Sequence, residues 1–206
     1  MFIEVLVTII AIAVGYIVGS IPWALIIGKV FYKKDIREYG SGNLGGTNAG
    51  RVLGAKAGMA VIVLDALKAL IYMIVLSFIA PYSIAYGGFA CIVGHCFPVF
   101  ANFRGGKGVA TAFGYLLGLG IFGVMDIYFV FIYPLLIFIL VLSLTRIVSI
   151  SSMTALLSSA IIATITDRNI PYIMMLWGMA AFVIWRHRSN IRKILKGEEG
   201  KVRWLR

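Results

Sequence analysis

The sequence predicts an all-α integral membrane protein with about seven transmembrane helices. Of its 206 residues, 61% are hydrophobic and only 13% are charged, and the mean hydropathy is +0.99. Soluble domains carry about twice that share of charged residues. The apolar residues also fall into runs of about 17 to 25, the length that crosses a hydrocarbon core of about 30 Å. The composition therefore excludes a soluble globular domain.

We predict one membrane-embedded domain over residues 1–206, with a basic tail from about residue 187. The first apolar run lacks the charged leader and the cleavage site of a signal peptide, so we interpret it as a retained span. An odd number of spans places the two termini on opposite sides of the membrane. The predicted spans are 3–30, 56–79, 83–101, 108–123, 126–145, 151–166 and 170–186.

Lysine and arginine residues predict the orientation of these spans. They cluster in the first, third and fifth connections and in the tail, which includes Arg203 and Arg206, whereas the other connections contain only Arg168. Because cytoplasmic loops carry the excess of positive charge, the N-terminus is expected outside and the C-terminus in the cytoplasm. This bias, with a tail that touches anionic lipid headgroups, explains most of the net charge of +11. We therefore predict a membrane-lipid partner and no nucleic acid.

Three polar stretches fall on the predicted cytoplasmic side: residues 40–51, 104–111 and 187–190. The first two are rich in glycine, which allows backbone N–H groups to converge on an anion. Serine, asparagine, threonine and arginine side chains complete such a cradle, and Arg51 and Lys107 supply positive charge. We expect these stretches to be non-helical and to meet at one face of the membrane, where they hold phosphate.

Two ionisable residues lie deeper, within the second predicted span. Asp65 and Lys68 are three residues apart, so they share a helix face and can pair. Ionisable residues inside a span are usually functional, but a pair of this kind also serves to lock helices together, and both interpretations stay open. His95 lies where the third span should end. It is either a hydrogen-bonding residue or a catalytic one, and the sequence leaves both roles open.

Several familiar motifs are excluded by their context. Residues 40–45 fit G-x-G-x-x-G, but a membrane span precedes them and no βαβ unit follows. Residues 105–108 resemble a P-loop, but Gly108 occupies the position of the required Ser or Thr. Cys91 and Cys96 match neither a zinc motif nor a disulfide framework. We predict no metal and no cofactor.

The chain resembles the PlsY family, the bacterial membrane glycerol-3-phosphate acyltransferases that use acyl-phosphate as donor. The likeness spans almost the whole length, and its motifs occur in the family's order. The sequence departs from the family pattern at three positions. Gly46 stands where the family has Ala, Arg104 where it has Lys, and Ile147 where it has Tyr. The motifs that carry the resemblance are Gly19-Ser20-Ile21-Pro22, Gly42-Asn43-Leu44-Gly45-Gly46-Thr47-Asn48 with Arg51, Gly94-His95-Cys96-Phe97-Pro98, Gly105-Gly106-Lys107-Gly108-Val109-Ala110-Thr111, Thr145-Arg146-Ile147-Val148-Ser149-Ile150-Ser151-Ser152 and His187-Arg188-Ser189-Asn190-Ile191.

The resemblance implies transfer of a fatty acyl group from acyl-phosphate to the 1-hydroxyl of glycerol 3-phosphate, which gives lysophosphatidic acid and phosphate. It implies a multi-pass protein of the bacterial plasma membrane that works in phospholipid biosynthesis, with its active site facing the cytoplasm. No cofactor and no obligate protein partner are expected. The His–Asp signature of soluble-type acyltransferases is absent after both His95 and His187.

The resemblance also implies roles for individual residues. Arg51, Lys107 and either Ser149 or Ser151 would bind the phosphoryl group of glycerol 3-phosphate, while the loop from Ser41 to Asn48 would cradle the acyl-phosphate. The identity of the proton acceptor, a substrate phosphate or His187, stays open, as does which loop binds which phosphate. The implied catalytic residues are Ser41, His187 and Asn190. The implied substrate-binding residues are Gly42, Asn43, Gly45, Thr47, Asn48, Arg51, His95, Gly105, Gly106, Lys107, Gly108, Thr111, Ser149 and Ser151.

Two other classes of protein would also account for part of this sequence. A small anion or lipid-headgroup transporter would place glycine-rich breaks at a gate, but such transporters show internal repeats, and no convincing repeat occurs in this sequence. A structural membrane subunit would leave the three polar stretches without a purpose. Both alternatives are disfavoured by the sequence.

Overall fold

A computed structural model describes residues 2–202. Within this range every regular element is helical, in agreement with the predicted class. The predicted tail cations Arg203 and Arg206 lie outside the described residues. The α-helices are α1 (Phe2–Gly19), α2 (Trp23–Tyr32), α3 (Gly46–Leu53), α4 (Ala55–Ile79), α5 (Ile84–Cys96), α6 (Val109–Ile121), α7 (Tyr133–Thr145), α8 (Val148–Thr166), α9 (Ile170–Arg186) and α10 (Arg188–Leu195).

Most of the predicted spans correspond to helices long and apolar enough to cross a membrane. α6 and α9 are apolar too, but they are shorter than the other candidates. This pattern supports a multi-pass membrane protein, whereas the count of seven spans and the placement of the termini stay predictions. The candidate spans among the described residues are Phe2–Tyr32, Ala55–Ile79, Pro81–Ala101, Tyr128–Thr145 and Val148–Thr166.

The first predicted span contains a break that its apolar composition conceals. The predicted span 3–30 corresponds to the candidate span Phe2–Tyr32, but within it the chain forms two helices, α1 and α2, separated at residues 20–22. Pro22 has no N–H and keeps the residue before it, Ile21, out of the α conformation. The Ile21 carbonyl at this break accepts a hydrogen bond from Lys68 Nζ at 3.2 Å.

By their contacts the described residues fall into two compact units, with the boundary between Gly118 and Leu119. In the first unit, α1 packs closely against α5, and α4 packs against both. Small residues permit this approach: the backbone of Gly87 lies against Gly15, and the backbone of Cys91 lies against Gly19. The Tyr16 hydroxyl then donates to the carbonyl of Phe97, just after α5, at 2.8 Å.

A small apolar core joins α2, α3 and α4 in the same unit. Ala49 and Leu53 of α3 pack there with Val61 of α4. The core also includes Ile36 and Leu44, which are almost completely buried and which flank the turn at residues 40–43. The glycine-rich stretch is therefore anchored to the helices at both of its ends.

The second unit is built around α8. This helix packs against both α7 and α9, and its buried face carries small residues such as Ala155, Ser159 and Ala160. A π-helical turn, Tyr128–Ile132, leads directly into α7. α10 follows α9 after His187, and none of its residues is buried.

Candidate substrate site

The first glycine-rich stretch is organised by the side chain of Asn48, which is 2% exposed. Its Oδ1 accepts the N–H of Ser41 at 2.9 Å. Its Nδ2 donates to the carbonyls of Ile36, Tyr39 and Asn43 at 3.2–3.3 Å. Every one of these partners is backbone, so Asn48 acts on this loop by fixing its path, and the loop holds the exposed hydroxyl of Ser41 on its surface.

Asn48→Asp is expected to disorder this loop. A carboxylate cannot donate hydrogen bonds, so it would face three backbone carbonyls without a proton between them, at a cost of about 1–3 kcal/mol or more. Amide hydrogen exchange over residues 36–48 should therefore accelerate while α4 and α5 stay protected. Asn102→Asp, at an exposed residue, is the matched control, and equal exchange in the two variants would remove Asn48 from this role.

Part of the first stretch is helical, so the expectation of a wholly non-helical loop was wrong. α3 begins at Gly46, and Gly45 precedes it without a side-chain cap. The amides of the first turn, including those of Gly46 and Thr47, have no helical carbonyl to bond, and they carry the positive end of the helix dipole. Arg51 lies in the last turn of α3 with an exposed side chain.

A salt bridge fixes the chain just before this loop. Arg37 donates from Nε and Nη2 to the two carboxylate oxygens of Asp35, at 2.9 and 2.6 Å. Lys29 Nζ lies 3.3 Å from Oδ2 of the same carboxylate. The side-chain hydrogen bonds from Arg37 hold the pKa of Asp35 well below its ordinary value, against the opposing effect of burial. Because that pKa is lowered, the contribution to stability is complete above the pKa of an unfolded Asp, and it is lost as the pH falls through the lowered value.

The second glycine-rich stretch lies against the end of α5. Gly106 N–H donates to the His95 carbonyl at 3.2 Å. A Cβ added at Gly106 would overlap the His95 ring at Nε2 and would lie 3.0 Å from the Leu44 carbonyl. Only glycine fits this crossing. The first two predicted stretches therefore meet at Gly106, as expected for that pair.

The next residues of this stretch enter α6. Gly108 has φ +84°, a conformation that favours glycine, and it directs the chain from Lys107 into the helix. Thr111, in the first turn, is completely buried. Its hydroxyl has no hydrogen-bond partner among the described residues. A buried hydroxyl without a partner costs about 1–3 kcal/mol.

Behind Gly106 lies a buried cluster of three ionisable residues. Lys68 Nζ donates to Asp65 Oδ1 at 2.9 Å, which confirms the predicted pair. Lys68 Nζ also lies 2.9 Å from His95 Nδ1, and His95 Nδ1 lies 3.3 Å from Asp65 Oδ1. Between residues 2 and 202, no group of three or more His, Cys, Asp or Glu could hold a metal ion.

In the second unit, His187 joins α9 to α10 and is 3% exposed. Its Nδ1 lies 2.8 Å from the carbonyl of Val183. A carbonyl only accepts, so Nδ1 carries the proton of the neutral ring, and Nε2 is the nitrogen able to accept one. The third predicted stretch is otherwise α-helical, because α10 begins at Arg188; the expectation that it is non-helical was wrong.

Glu199 connects two other predicted site residues of this unit. Its Oε1 accepts from Ser149 Oγ at 2.8 Å and from Asn190 Nδ2 at 2.6 Å. Ser151 is buried and donates to the Ile147 carbonyl at 2.9 Å. Sequence reasoning missed Glu199 because it stands among the alternating charges of the tail, where nothing marks one carboxylate as different from its neighbours.

These observations define a class: a multi-pass membrane protein with two glycine-rich stretches that meet beside a cation and a buried ionisable cluster. The family model described as glycerol-3-phosphate acyltransferase matches residues 9–197. The glycerol-3-phosphate acyltransferase of Listeria monocytogenes is 45% identical over 196 residues, covering 93% of this chain and 94% of its own. That of Geobacillus kaustophilus is 44% identical over 191 residues, covering 92% and 93%.

Solved structures are similar over nearly the whole chain. A crystal structure of PlsY (YgiH), an integral membrane glycerol 3-phosphate acyltransferase, in its glycerol 3-phosphate form has a TM-score of 0.86 and 32% identity, covering 96% of both chains. The lysophosphatidic acid form has a TM-score of 0.82 and 31% identity, covering 95% of both. The chain belongs to the glycerol-3-phosphate acyltransferase family.

Proposed function

We propose that the protein transfers a fatty acyl group from acyl-phosphate to the 1-hydroxyl of glycerol 3-phosphate, releasing lysophosphatidic acid and phosphate. The observation that carries the proposal is the meeting of the two glycine-rich stretches at Gly106, next to Lys107. The similar PlsY structures were solved with glycerol 3-phosphate and with lysophosphatidic acid, which are the acceptor and the product of this reaction.

Cations and backbone amides bind the two phosphate groups in this proposal. Arg51 and Lys107, with Ser149 or Ser151, hold the phosphoryl group of glycerol 3-phosphate, because charge-assisted hydrogen bonds to phosphate are about twice as strong as neutral ones. The exposed face of the Ser41–Thr47 loop and the first amides of α3 hold the acyl-phosphate. Asn48 keeps that loop in shape.

The chemistry is a direct acyl transfer. The 1-hydroxyl oxygen attacks the acyl carbonyl carbon, and a C–O bond forms as the carbonyl oxygen takes up negative charge. The intermediate then collapses, the bond to the phosphate oxygen breaks, and phosphate leaves. Acyl-phosphate is a mixed anhydride with a good leaving group, so alignment of the reactants and donors for the oxyanion can supply most of the rate enhancement.

The proton of the 1-hydroxyl has two candidate acceptors. His187 is one, because its Nδ1 donates to Val183 and its Nε2 is therefore basic. A phosphate oxygen of a substrate is the other: on acyl-phosphate the proton would leave with the product hydrogen phosphate, and on glycerol 3-phosphate it would stay on the phosphate of lysophosphatidic acid. Asn190 orients the acceptor hydroxyls in either case.

The protein is proposed to lie in the bacterial plasma membrane, with seven spans, an outer N-terminus and a cytoplasmic site. This orientation is supported by the lysines and arginines that flank the first, third and fifth connections and fill the tail. A cytoplasmic site gives access to glycerol 3-phosphate, a soluble anion, while the acyl donor stays in the lipid. No obligate protein partner enters the proposal.

The test is an assay with the detergent-purified protein and three donors: acyl-phosphate, acyl-CoA and acyl carried on acyl-carrier protein. We expect phosphate release that requires both acyl-phosphate and glycerol 3-phosphate, together with one equivalent of lysophosphatidic acid by mass spectrometry. A thioester donor that works as well would refute the proposed donor. Counter-flow of glycerol 3-phosphate in vesicles without any acyl transfer would instead indicate a transporter.

A further inference from the structure

Asp65 and Lys68, in the buried cluster behind Gly106, take no part in the proposed acyl transfer itself. Asp65, Lys68 and His95 are 2%, 5% and 6% exposed, and they lie on two membrane-spanning helices. An ion pair in such a place costs desolvation free energy, which two well-packed apolar side chains would not incur. The contacts of the three side chains suggest a function that offsets this cost.

The hydrogen bonds of Lys68 determine the protonation of His95. An ammonium group has three donors and no acceptor. Here the three donors meet three acceptors: Asp65 Oδ1 at 2.9 Å, the Ile21 carbonyl at 3.2 Å and His95 Nδ1 at 2.9 Å. When Lys68 gives its third hydrogen to His95 Nδ1, that nitrogen is the acceptor, and the proton of the neutral ring is on Nε2 and not shared with Asp65.

The opposite edge of this ring faces the glycine-rich crossing. Nε2 lies where a side chain at Gly106 would be, and the His95 carbonyl accepts the Gly106 N–H at 3.2 Å. Both the ring and the backbone of His95 thus support the turn that carries Lys107. His95 in turn is oriented from behind by Lys68, and Lys68 is held by Asp65 and by the carbonyl freed at the α1–α2 break.

We propose that Asp65 and Lys68 are positioning residues, which fix the Nε2–H tautomer and the orientation of His95 and thereby hold the Gly105–Gly106 turn and Lys107 in place for phosphate binding. This inference rests on the proposed function only for the identity of the phosphate ligand. The arrangement resembles the outer-shell partners that orient ligating histidines in metal sites. Here the oriented group is a glycine turn.

The tautomer can be read directly, without substrate. The chain contains two histidines, so two-bond proton–nitrogen correlations of the histidine-labelled protein in detergent give two ring systems, and a His187→Gln sample assigns them. We expect His95 to be protonated at Nε2 and bare at Nδ1. A proton on Nδ1, or on both nitrogens, at neutral pH would overturn the inference.

Kinetics test the positioning role. The double variant Asp65→Leu/Lys68→Met removes the pair without leaving a charge buried, so it should fold better than Lys68→Met alone. We expect its KM for glycerol 3-phosphate to rise about 10-fold or more, with KM for acyl-phosphate within about twofold, since small displacements of a binding group can cost up to about 100-fold. A purely structural role would lower the amount of active enzyme and leave KM unchanged.

The matched control removes a part-buried polar contact just before α5. Thr8→Val/Ser83→Ala deletes the 2.9 Å hydrogen bond between α1 and the start of α5, 12 residues from His95 and about 18 Å along the helix. It should keep both KM values. An equal rise of KM in this control, or a wild-type KM in the double variant, would overturn the inference. Failure of the proposed function would appear separately, as wild-type protein that lacks acyl transfer.

Discussion

Lys107→Ala is expected to lower kcat/KM for glycerol 3-phosphate by about 100-fold or more, since loss of one partner of a hydrogen-bonded charge pair costs about 2–5 kcal/mol. Lys107 stands directly after the Gly105–Gly106 turn and just before α6, so its position is fixed by backbone on both sides. Loss of the ammonium group should raise KM for glycerol 3-phosphate first, because binding of its phosphate depends on this charge. Initial rates over a matrix of both substrate concentrations would measure the effect.

Lys196→Ala and Lys201→Ala are the matched controls for this charge. Both lysines are exposed in the tail, where they can contribute to a general attraction for anions without contacting a particular phosphate. We expect their kinetics to stay near those of the unmodified protein. Near-normal kinetics in Lys107→Ala would remove Lys107 from the site, and equal losses in all three variants would indicate a surface-charge effect.

Gly106→Ala is expected to reduce activity by about 100-fold, because displacement of reacting groups by about 1 Å has this consequence. The added methyl group would overlap the His95 ring and press on the Leu44 carbonyl. Neither obstacle can move easily, since His95 is held by Lys68 and Leu44 is buried in the core below the loop. The strain should also lower the free energy of unfolding by about 1–3 kcal/mol.

Gly178→Ala is the control for this substitution. Gly178 lies in α9, and a Cβ there would meet no atom within 4 Å. We expect full activity and unchanged thermal unfolding. The double variant Gly106→Ala/His95→Ala removes the ring that obstructs the methyl group, so it should recover folded protein relative to Gly106→Ala alone. Full activity in Gly106→Ala would contradict the close crossing described above.

The membrane helices were predictable because hydropathy is a property of long segments. α4 and α9 begin and end within about one residue of the predicted limits. The break at Ser20–Pro22 escaped prediction because the residues around it are apolar. α3 and α10 were not predicted, because glycine, serine and asparagine are poor helix formers on average. In the folded protein, packing against α4 stabilises α3.

Contacts of the site between residues close together in the chain were predictable, whereas contacts between residues far apart in the chain were less so. The three-residue spacing of Asp65 and Lys68 predicted their pairing. Nothing in the sequence connects Lys68 with His95, 27 residues later, or Asn190 with Glu199. These contacts depend on how helices and the tail come together in space. The structural role of Asn48 was hidden for the same reason, since a loop-stabilising amide and a ligand-binding amide look alike in sequence.

The short helix α5 bears on the depth of the proposed site in the bilayer. This helix has 13 residues, about 20 Å at 1.5 Å per residue, whereas the hydrocarbon layer is about 30 Å thick. Lys68 of α4, which contacts His95 near the end of α5, lies 11 residues before the end of α4 at Ile79, about 16 Å along the helix axis. In the proposed orientation, the glycine crossing would lie below the level of the headgroups. A water-soluble acceptor would then have to descend from the aqueous phase to reach it, while a fatty chain would arrive sideways and never leave the bilayer.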